Sequence, residues 1–168
     1  MPMLSAPDIL VHVMKPWEAF YHHSKVAPSV LAFLHVGALI LAGGFALSTD
    51  RDTLQAVNAG EAQRARHLAD LASVHVWVVA GLVVSFVSGL FLFAADVETF
   101  FGSWVFWVKM ALIVALLVNG YVMMRTGQDL RSHSGNAVAR WRTLRHTSVV
   151  STALWITISL AGIILVNL

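Results

Sequence analysis

Four long apolar runs, separated by polar segments, organise the chain. They cover residues 26–47, 71–94, 104–124 and 149–168. Each run is close to, or longer than, the roughly 20 residues with which a helix crosses the hydrocarbon core of a bilayer. Gly, Ser and Thr are scattered through the runs, and membrane helices tolerate them because lipid offers the backbone no other hydrogen-bond partner. The pattern predicts four membrane-spanning helices.

The connections between the runs are short, so neighbouring helices should be antiparallel. This predicts an all-α fold, a four-helix transmembrane bundle that forms a single domain over residues 1–168. Residues 1–25 carry Trp17, Phe20 and Tyr21 just before the first span and should lie at the membrane interface. The Ala-rich segment 50–70 has no Pro and should continue as helix, extending the second span.

Composition supports a membrane protein and removes several other classes. Hydrophobic residues make up 58% of the chain and charged residues 12%, whereas a soluble domain is about a quarter charged. This balance excludes a soluble enzyme. The absence of Cys excludes disulfides and thiolate metal sites. A formal net charge of only +2 gives no reason to expect a nucleic-acid partner; the expected partners are the bilayer and either a larger membrane complex or further copies of the chain.

The distribution of Lys and Arg predicts the orientation. Eight of the 11 basic residues lie in two connections, after the first and third runs. They are Arg51, Arg64, Arg66, Arg125, Arg131, Arg140, Arg142 and Arg145. The connection between the second and third runs has only acidic charges, Asp96 and Glu98. By the positive-inside rule the Arg-rich connections are cytoplasmic and both termini face the outer side of the membrane. We therefore expect a multi-pass membrane protein.

Ionisable side chains within the spans are the candidates for chemistry, because lipid makes them costly. His35, His75 and Lys109 meet this condition. His35 lies on a stripe that contains Pro28, Ala32, Leu39, Ala42 and Ala46 and leaves room for a flat ligand. Counted along their helices, His35 and Lys109 lie at similar depth. His35 either acts as an axial haem ligand or a proton-handling group, or bonds to a hydroxyl of a neighbouring helix. Lys109 either pairs with Asp96 or Glu98, or faces an anionic ligand.

The other histidines give weaker predictions. His75 and His146 lie at the same end of their spans, where a pair of histidines can hold b-type haem. His146 is off the small and polar stripe expected to pack, however, and is better interpreted as an interfacial cation. That stripe consists of Ser148, Thr152, Trp155, Ser159 and Gly162. His67 and His133 lie in the polar connections and should be solvated.

The stretches SKVAPSVLAFLHVGALILAGGFALSTDRDTL, HLADLASVH and SGLFLFAADVETFFGSWVFWVKMALIVALLVNG resemble an uncharacterised family of small bacterial four-span proteins. His35 in the first span, followed by Lys109 at the end of Phe106-Trp107-Val108-Lys109, more distantly resembles the copper-resistance D domain and the haem-binding protoporphyrinogen oxidase of bacteria. The resemblance implies a multi-pass bundle of the bacterial inner membrane, with both termini on the periplasmic side, in which His35 ligates b-type haem. The first span lacks the Trp-x-x-Gly of the oxidase family.

Three functions follow as alternatives. The first is a haem b-binding redox protein, an electron carrier or small oxidoreductase, with His35 as the metal ligand and Lys109 and His75 as further cofactor-binding residues. The second is an accessory subunit of a larger membrane complex, since the chain shows no complete catalytic set. The third is a transporter of copper or a small solute, which the absence of Cys and of Met clusters disfavours.

Overall fold

The computed structural model describes residues 6–132 and 136–167, and within these ranges it is helical with no strand. Its helices are α1 (Asp8–His23), α2 (Ala27–Ala56), α3 (Glu61–Ala95), α4 (Val97–Gly102), α5 (Trp104–Arg131) and α6 (Ala137–Val166). The helices α2, α3, α5 and α6 contain the four apolar runs, and each is long and apolar enough to cross a membrane. The predicted all-α bundle with four candidate spans is therefore confirmed.

The spanning helices extend beyond the apolar runs at one end of the bundle. This end holds the α2–α3 and α5–α6 connections and is called the Arg-rich end; the other, with α4, is the α4 end. The prediction that segment 50–70 only extends the second span is partly wrong, because the chain turns at residues 57–60 and its first part belongs to α2. Arg64 stabilises this turn by donating to the carbonyls of Ala56 and Val57, which have no partner within α2.

Small residues bring α2 and α3 into close contact. A Cβ added to Gly81 would lie 2.9 Å from the Cβ of Ala42 and 3.1 Å from the carbonyl oxygen of Ala38. On α2, a Cβ at Gly43 would meet the ring of Trp155 from α6 at 3.2 Å. These contacts are of the small-residue type that allows membrane helices to approach each other.

The four long helices do not pack equally. α2 packs closely on α3, α5 packs closely on α6, and α2 also meets α6, whereas α3 and α5 touch only sparsely. α2 and α5 are therefore diagonal across the bundle. A central cluster of Ala42, Leu116, Trp155 and Ile158 joins α2, α5 and α6. The seam between α3 and α5 is left as the open side.

The buried face of α6 differs from the predicted stripe by a small rotation. Ser148 and Trp155 are buried as expected, but Ser159 is exposed. The observed face is completed by Leu144, Ser151, Ile158 and Ala161. The apolar residues Leu144 and Ile158 were not included in a stripe chosen for small and polar side chains, although burial of apolar groups sets the phase of the helix.

The N-terminal segment forms α1, which packs mainly on α3. Trp17 donates from its indole Nε1 to the carbonyl of Phe91 at 2.9 Å and packs its ring on that side chain. The acidic connection is the short helix α4, for which Asp96 accepts a hydrogen bond from the backbone N–H of Thr99. The position of α1 at a membrane interface remains a prediction.

Candidate functional sites at the two ends of the bundle

His35 is held on the α2–α3 seam by α3. Its Nδ1 lies 2.8 Å from the carbonyl oxygen of Ser85, which can only accept, so Nδ1 carries the proton. The hydroxyls of Ser85 and Ser88 lie 3.3 and 3.4 Å from the same nitrogen. Gly89 makes room for the ring, since a Cβ there would be 3.0 Å from the imidazole Cε1. From the sequence, a hydroxyl of a neighbouring helix was one possible partner of His35. In the structure, the principal partner is a backbone carbonyl.

This arrangement leaves the other ring nitrogen available. Within the described residues, no protein group forms a hydrogen bond with the Nε2 of His35, so its lone pair points away from the bonded side of the ring. Metal-ligating histidines have this form: one nitrogen donates to a fixed acceptor and thereby sets the tautomer, and the other binds the metal. His35 thus has the chemistry of a ligand, whether or not it serves as one.

Lys109 projects from α5 toward α6 and toward His35. Its Nζ would be 3.4 Å from a Cβ at Gly162, so the glycine accommodates the ammonium. The Lys109 side chain lies close enough to the His35 imidazole for an electrostatic interaction, which agrees with the similar depth predicted for the two residues. The expected pairing with Asp96 or Glu98 is not observed. The only ion pair within residues 6–132 and 136–167 joins Arg140 to Asp129.

The missing pair has a physical explanation. The carboxylate of Asp96 is used to cap α4, and the packing of α5 on α6 directs the Lys109 stem into the bundle. Lys109 is partly buried and forms no hydrogen bond or ion pair with the described residues. An ammonium within a membrane bundle normally has a partner. An anionic group from outside the chain would supply one.

His75 lies at a separate site toward the Arg-rich end. It lines a cavity of about 450 Å³ in the open α3–α5 seam, which is within the range of small-molecule and cofactor sites. Asn119, Met124 and Arg125 of α5 line the same cavity. His35 does not line this cavity, nor the more polar cavity of about 390 Å³ between the ends of α2 and α3. In the structure, therefore, His35 has the fixed tautomer of a ligand, whereas His75 faces a cavity in which a ligand could fit.

Asp50 is the functional candidate that sequence reasoning missed. It lies near the end of α2, is 2% exposed, and lines the cavity that also contains His75. The hydroxyl of Thr152 donates to its carboxylate at 3.4 Å, and the hydroxyls of Ser148 and Ser151 lie beside it. The three hydroxyl-bearing residues all belong to α6. A carboxylate is thus enclosed by hydroxyl groups between two spanning helices.

A signal for Asp50 was present in the sequence. The stripe of α2 that contains His35, Leu39, Ala42 and Ala46 reaches Asp50 when it is continued by one helical turn. Asp50 lies just beyond the apolar run, between Thr49 and Arg51, where a charged residue looks solvated. The helix does not end with the apolar run, so the buried face continues past it.

The other histidines lie outside these sites. His146 is exposed and does not line the cavity with His75, and its role as an interfacial cation stays a prediction. The prediction that His67 is solvated is wrong: it is buried, and its Nε2 is 2.9 Å from the hydroxyl of Thr53. His67 lies in the part of α3 that precedes the apolar run, on the side that faces α2. His133 lies outside the described residues.

The two sites are not parts of one metal centre. Among residues 6–132 and 136–167, no three His, Asp or Glu side chains converge as a group that could hold a metal ion. His35 with Lys109 lies toward the α4 end, and Asp50 with His75 lies toward the Arg-rich end. Comparisons with models of protein families, with curated proteins and with solved structures found no match for the chain. The fold and the site define a class, a four-span membrane bundle with ionisable groups in its interior.

Proposed function

We propose that the protein is an integral membrane haem b-binding redox protein, with His35 as the iron ligand and Lys109 as the partner of a haem propionate. One observation carries the proposal: an imidazole of fixed tautomer lies near an ammonium that has no anionic partner among the described residues. A neutral imidazole nitrogen is a ligand of haem iron. A carboxylate on the same ligand would compensate the ammonium.

The residues present fit such a group by their donor chemistry. When bound, haem b would supply one-electron exchange within the membrane. The chain would contribute the orientation of the His35 ring, through the carbonyl of Ser85, and the position of one positive charge, through Lys109. The nearby α3–α5 seam is the least packed side of the bundle and is the natural route by which a large flat ligand enters.

His75 is the second candidate ligand for the same group, and the cavity is the observation that favours it. The cavity has mainly apolar walls, and Arg125 at the same cavity offers a cation to a carboxylate. A haem held there would be closer to the Arg-rich end than one held by His35. The function is the same in both cases, and the variants below distinguish the two positions.

The proposal is tested by the visible spectrum of the full-length protein. The protein is produced with ample haem, purified in mild detergent, and measured in its oxidised and reduced forms. The wild type should show a Soret band that shifts on reduction. His35→Ala should remove this band and leave the helical circular dichroism unchanged. His12→Ala, which changes an exposed histidine of α1, is the matched control and should retain the band. A colourless wild type would refute the proposal.

We further propose that the Arg-rich end faces the cytoplasm of a bacterial cell and that both termini face the periplasm. The eight arginines at the α2–α3 and α5–α6 connections support this orientation, because basic residues of short connections are retained on the cytoplasmic side. A reporter that is active only in the periplasm, fused after Leu168, should be active; the same reporter inserted at Gly60 should be inactive. The opposite pair of results would reverse the orientation.

A further inference from the structure

Asp50 lies where an isolated negative charge is unfavourable. Its side chain is 2% exposed and lies between α2 and α6, both of which are long and apolar enough to span a membrane. Within the described residues it forms no ion pair. Burying an ion costs several kcal/mol unless an opposite charge or several hydrogen bonds compensate it. The position therefore requires a compensating partner.

The groups around the carboxylate are hydroxyls, which can donate to it but carry no charge to balance it. Thr152 donates from 3.4 Å, at the long limit of a hydrogen bond. Ser148 is fully buried beside the carboxylate, and its hydroxyl has no well-formed hydrogen bond. Ser151 is also buried and lies beside the carboxylate. A buried hydroxyl without a partner is unfavourable, so its position next to a carboxylate that no cation balances calls for a shared partner.

Among the residues that the structure describes, the basic side chains that line the same cavity do not form an ion pair with Asp50. Arg125 lines the same cavity, but its Nε donates to the hydroxyl of Tyr121 at 3.0 Å, and its guanidinium packs on the Tyr121 ring. His75 faces the cavity from α3, and no hydrogen bond joins it to Asp50 in the described part of the chain. The cavity itself connects the carboxylate to the surroundings of the bundle.

We propose that Asp50 and the hydroxyls of Ser148, Ser151 and Thr152 form a binding site for a monovalent cation, Na⁺, that enters through the cavity of the α3–α5 seam. Carboxylate and hydroxyl oxygens are hard ligands and select hard cations. A single carboxylate balances a single positive charge. A bound Na⁺ would also be the partner that the buried hydroxyl of Ser148 lacks. This site shares no residue with the proposed haem site at His35 and Lys109, although Asp50 and Ser151 line the same cavity as His75, the second candidate haem ligand.

The test is the dependence of thermal unfolding on Na⁺. The full chain, in detergent at constant ionic strength and pH, is unfolded in NaCl, KCl and choline chloride while its circular dichroism is recorded. A ligand at 100 times its Kd should raise the unfolding midpoint of a protein of this size by about 5–10 °C. We expect this rise in NaCl, a smaller rise in KCl and none in choline chloride. Equal midpoints in the three salts would overturn the proposal.

Three variants assign the effect to the site. Asp50→Asn keeps the shape of the side chain, removes its charge, and should abolish the Na⁺ dependence. Asp52→Asn changes an exposed carboxylate of the same helix and should leave the dependence as in the wild type. Ser151→Ala keeps the carboxylate and should weaken Na⁺ binding at least about tenfold, as expected for loss of one ligand. A Na⁺ effect that persists in Asp50→Asn would overturn the assignment.

The outcomes separate this proposal from the haem proposal. Asp50→Asn should leave a Soret band that depends on His35 unchanged, and His35→Ala should leave the Na⁺ dependence unchanged. A colourless protein with a Na⁺-dependent midpoint would refute the haem proposal alone. A midpoint that follows pH in the same way in all three salts would show that Asp50 holds a proton instead of Na⁺, and would refute the cation site alone.

Discussion

The α2–α3 seam and the α3–α5 seam share one helix but differ in packing. On the first, Gly81, Ser85 and Gly89 let α2 approach closely, and the His35 ring is fixed in the contact. On the second, α5 stays apart from α3, and a cavity of about 450 Å³ remains. The α2–α3 seam, called the close seam, fixes a side chain but leaves little space. The α3–α5 seam, called the open seam, gives a ligand access but makes few contacts. A site that needs both a fixed side chain and access for a ligand has to combine residues of the two seams.

The largest expected effect on the free energy of unfolding comes from enlarging the cavity of the open seam. Trp155 is buried, packs on Gly43 and forms part of the cavity wall. Trp155→Ala should lower the free energy of unfolding by about 3–5 kcal/mol, because it removes a large packed side chain and extends the cavity. Denaturant titration in mixed micelles measures the loss. Trp77→Ala, on an exposed site of α3, is the control, and a similar loss in both variants would contradict the role of Trp155.

The second effect comes from adding one methyl group to the close seam. In Gly81→Ala the new Cβ would lie 2.9 Å from the Cβ of Ala42, so α2 and α3 must separate; we expect a loss of about 1–3 kcal/mol from overpacking. Gly120→Ala is the matched control on the open seam, where no atom lies within 4 Å of the added Cβ. It should be neutral or stabilise the helix by up to about 1 kcal/mol. Equal effects of the two changes would remove the distinction between the seams.

The smallest effect concerns the turn that closes the α2–α3 pair. Arg64 caps the end of α2 and its guanidinium lies 5.0 Å from the Trp141 ring centroid. Arg64→Ala should cost about 1–2 kcal/mol, because it removes hydrogen bonds from a charged donor and a partly exposed cation–π contact. Arg66→Ala changes an exposed neighbour and should be nearly neutral in the same denaturant titration. An Arg64→Ala variant as stable as the wild type would show that Arg64 does not close the turn.

The four spans follow from hydropathy because the bilayer imposes a minimum length on every apolar helix. The small residues Gly81, Ser85, Ser88 and Gly89 lie one helical turn or less apart and mark the close face of α3. The matching depth of His35 and Lys109 was also predictable, since helical rise is constant and both spans were expected to begin on the same side.

The environment of Asp50 was not predictable in the same way. Its burial depends on α2 continuing past the apolar run and on the rotation of α6, which brings Ser148 and Ser151 against it. The rotation of one helix relative to another depends on how their apolar faces fit together. Hydropathy alone does not predict this rotation. Of the two alternatives left open for Lys109, the pairing with Asp96 or Glu98 was wrong for a related reason, because the side chain follows the packing of α5 on α6 and not the nearest carboxylate in the chain.

The division of roles between the two seams is tested most directly by comparing the haem spectra of His35→Ala and His75→Ala under identical conditions. We predict that His35→Ala loses the Soret band and that His75→Ala retains it, because the fixed imidazole of the close seam, beside Lys109, is the proposed ligand. Haem content per protein, measured as the pyridine haemochrome, gives the same comparison independently of band shape. A band that survives in His35→Ala and is lost in His75→Ala would contradict the account and place the cofactor in the cavity of the open seam.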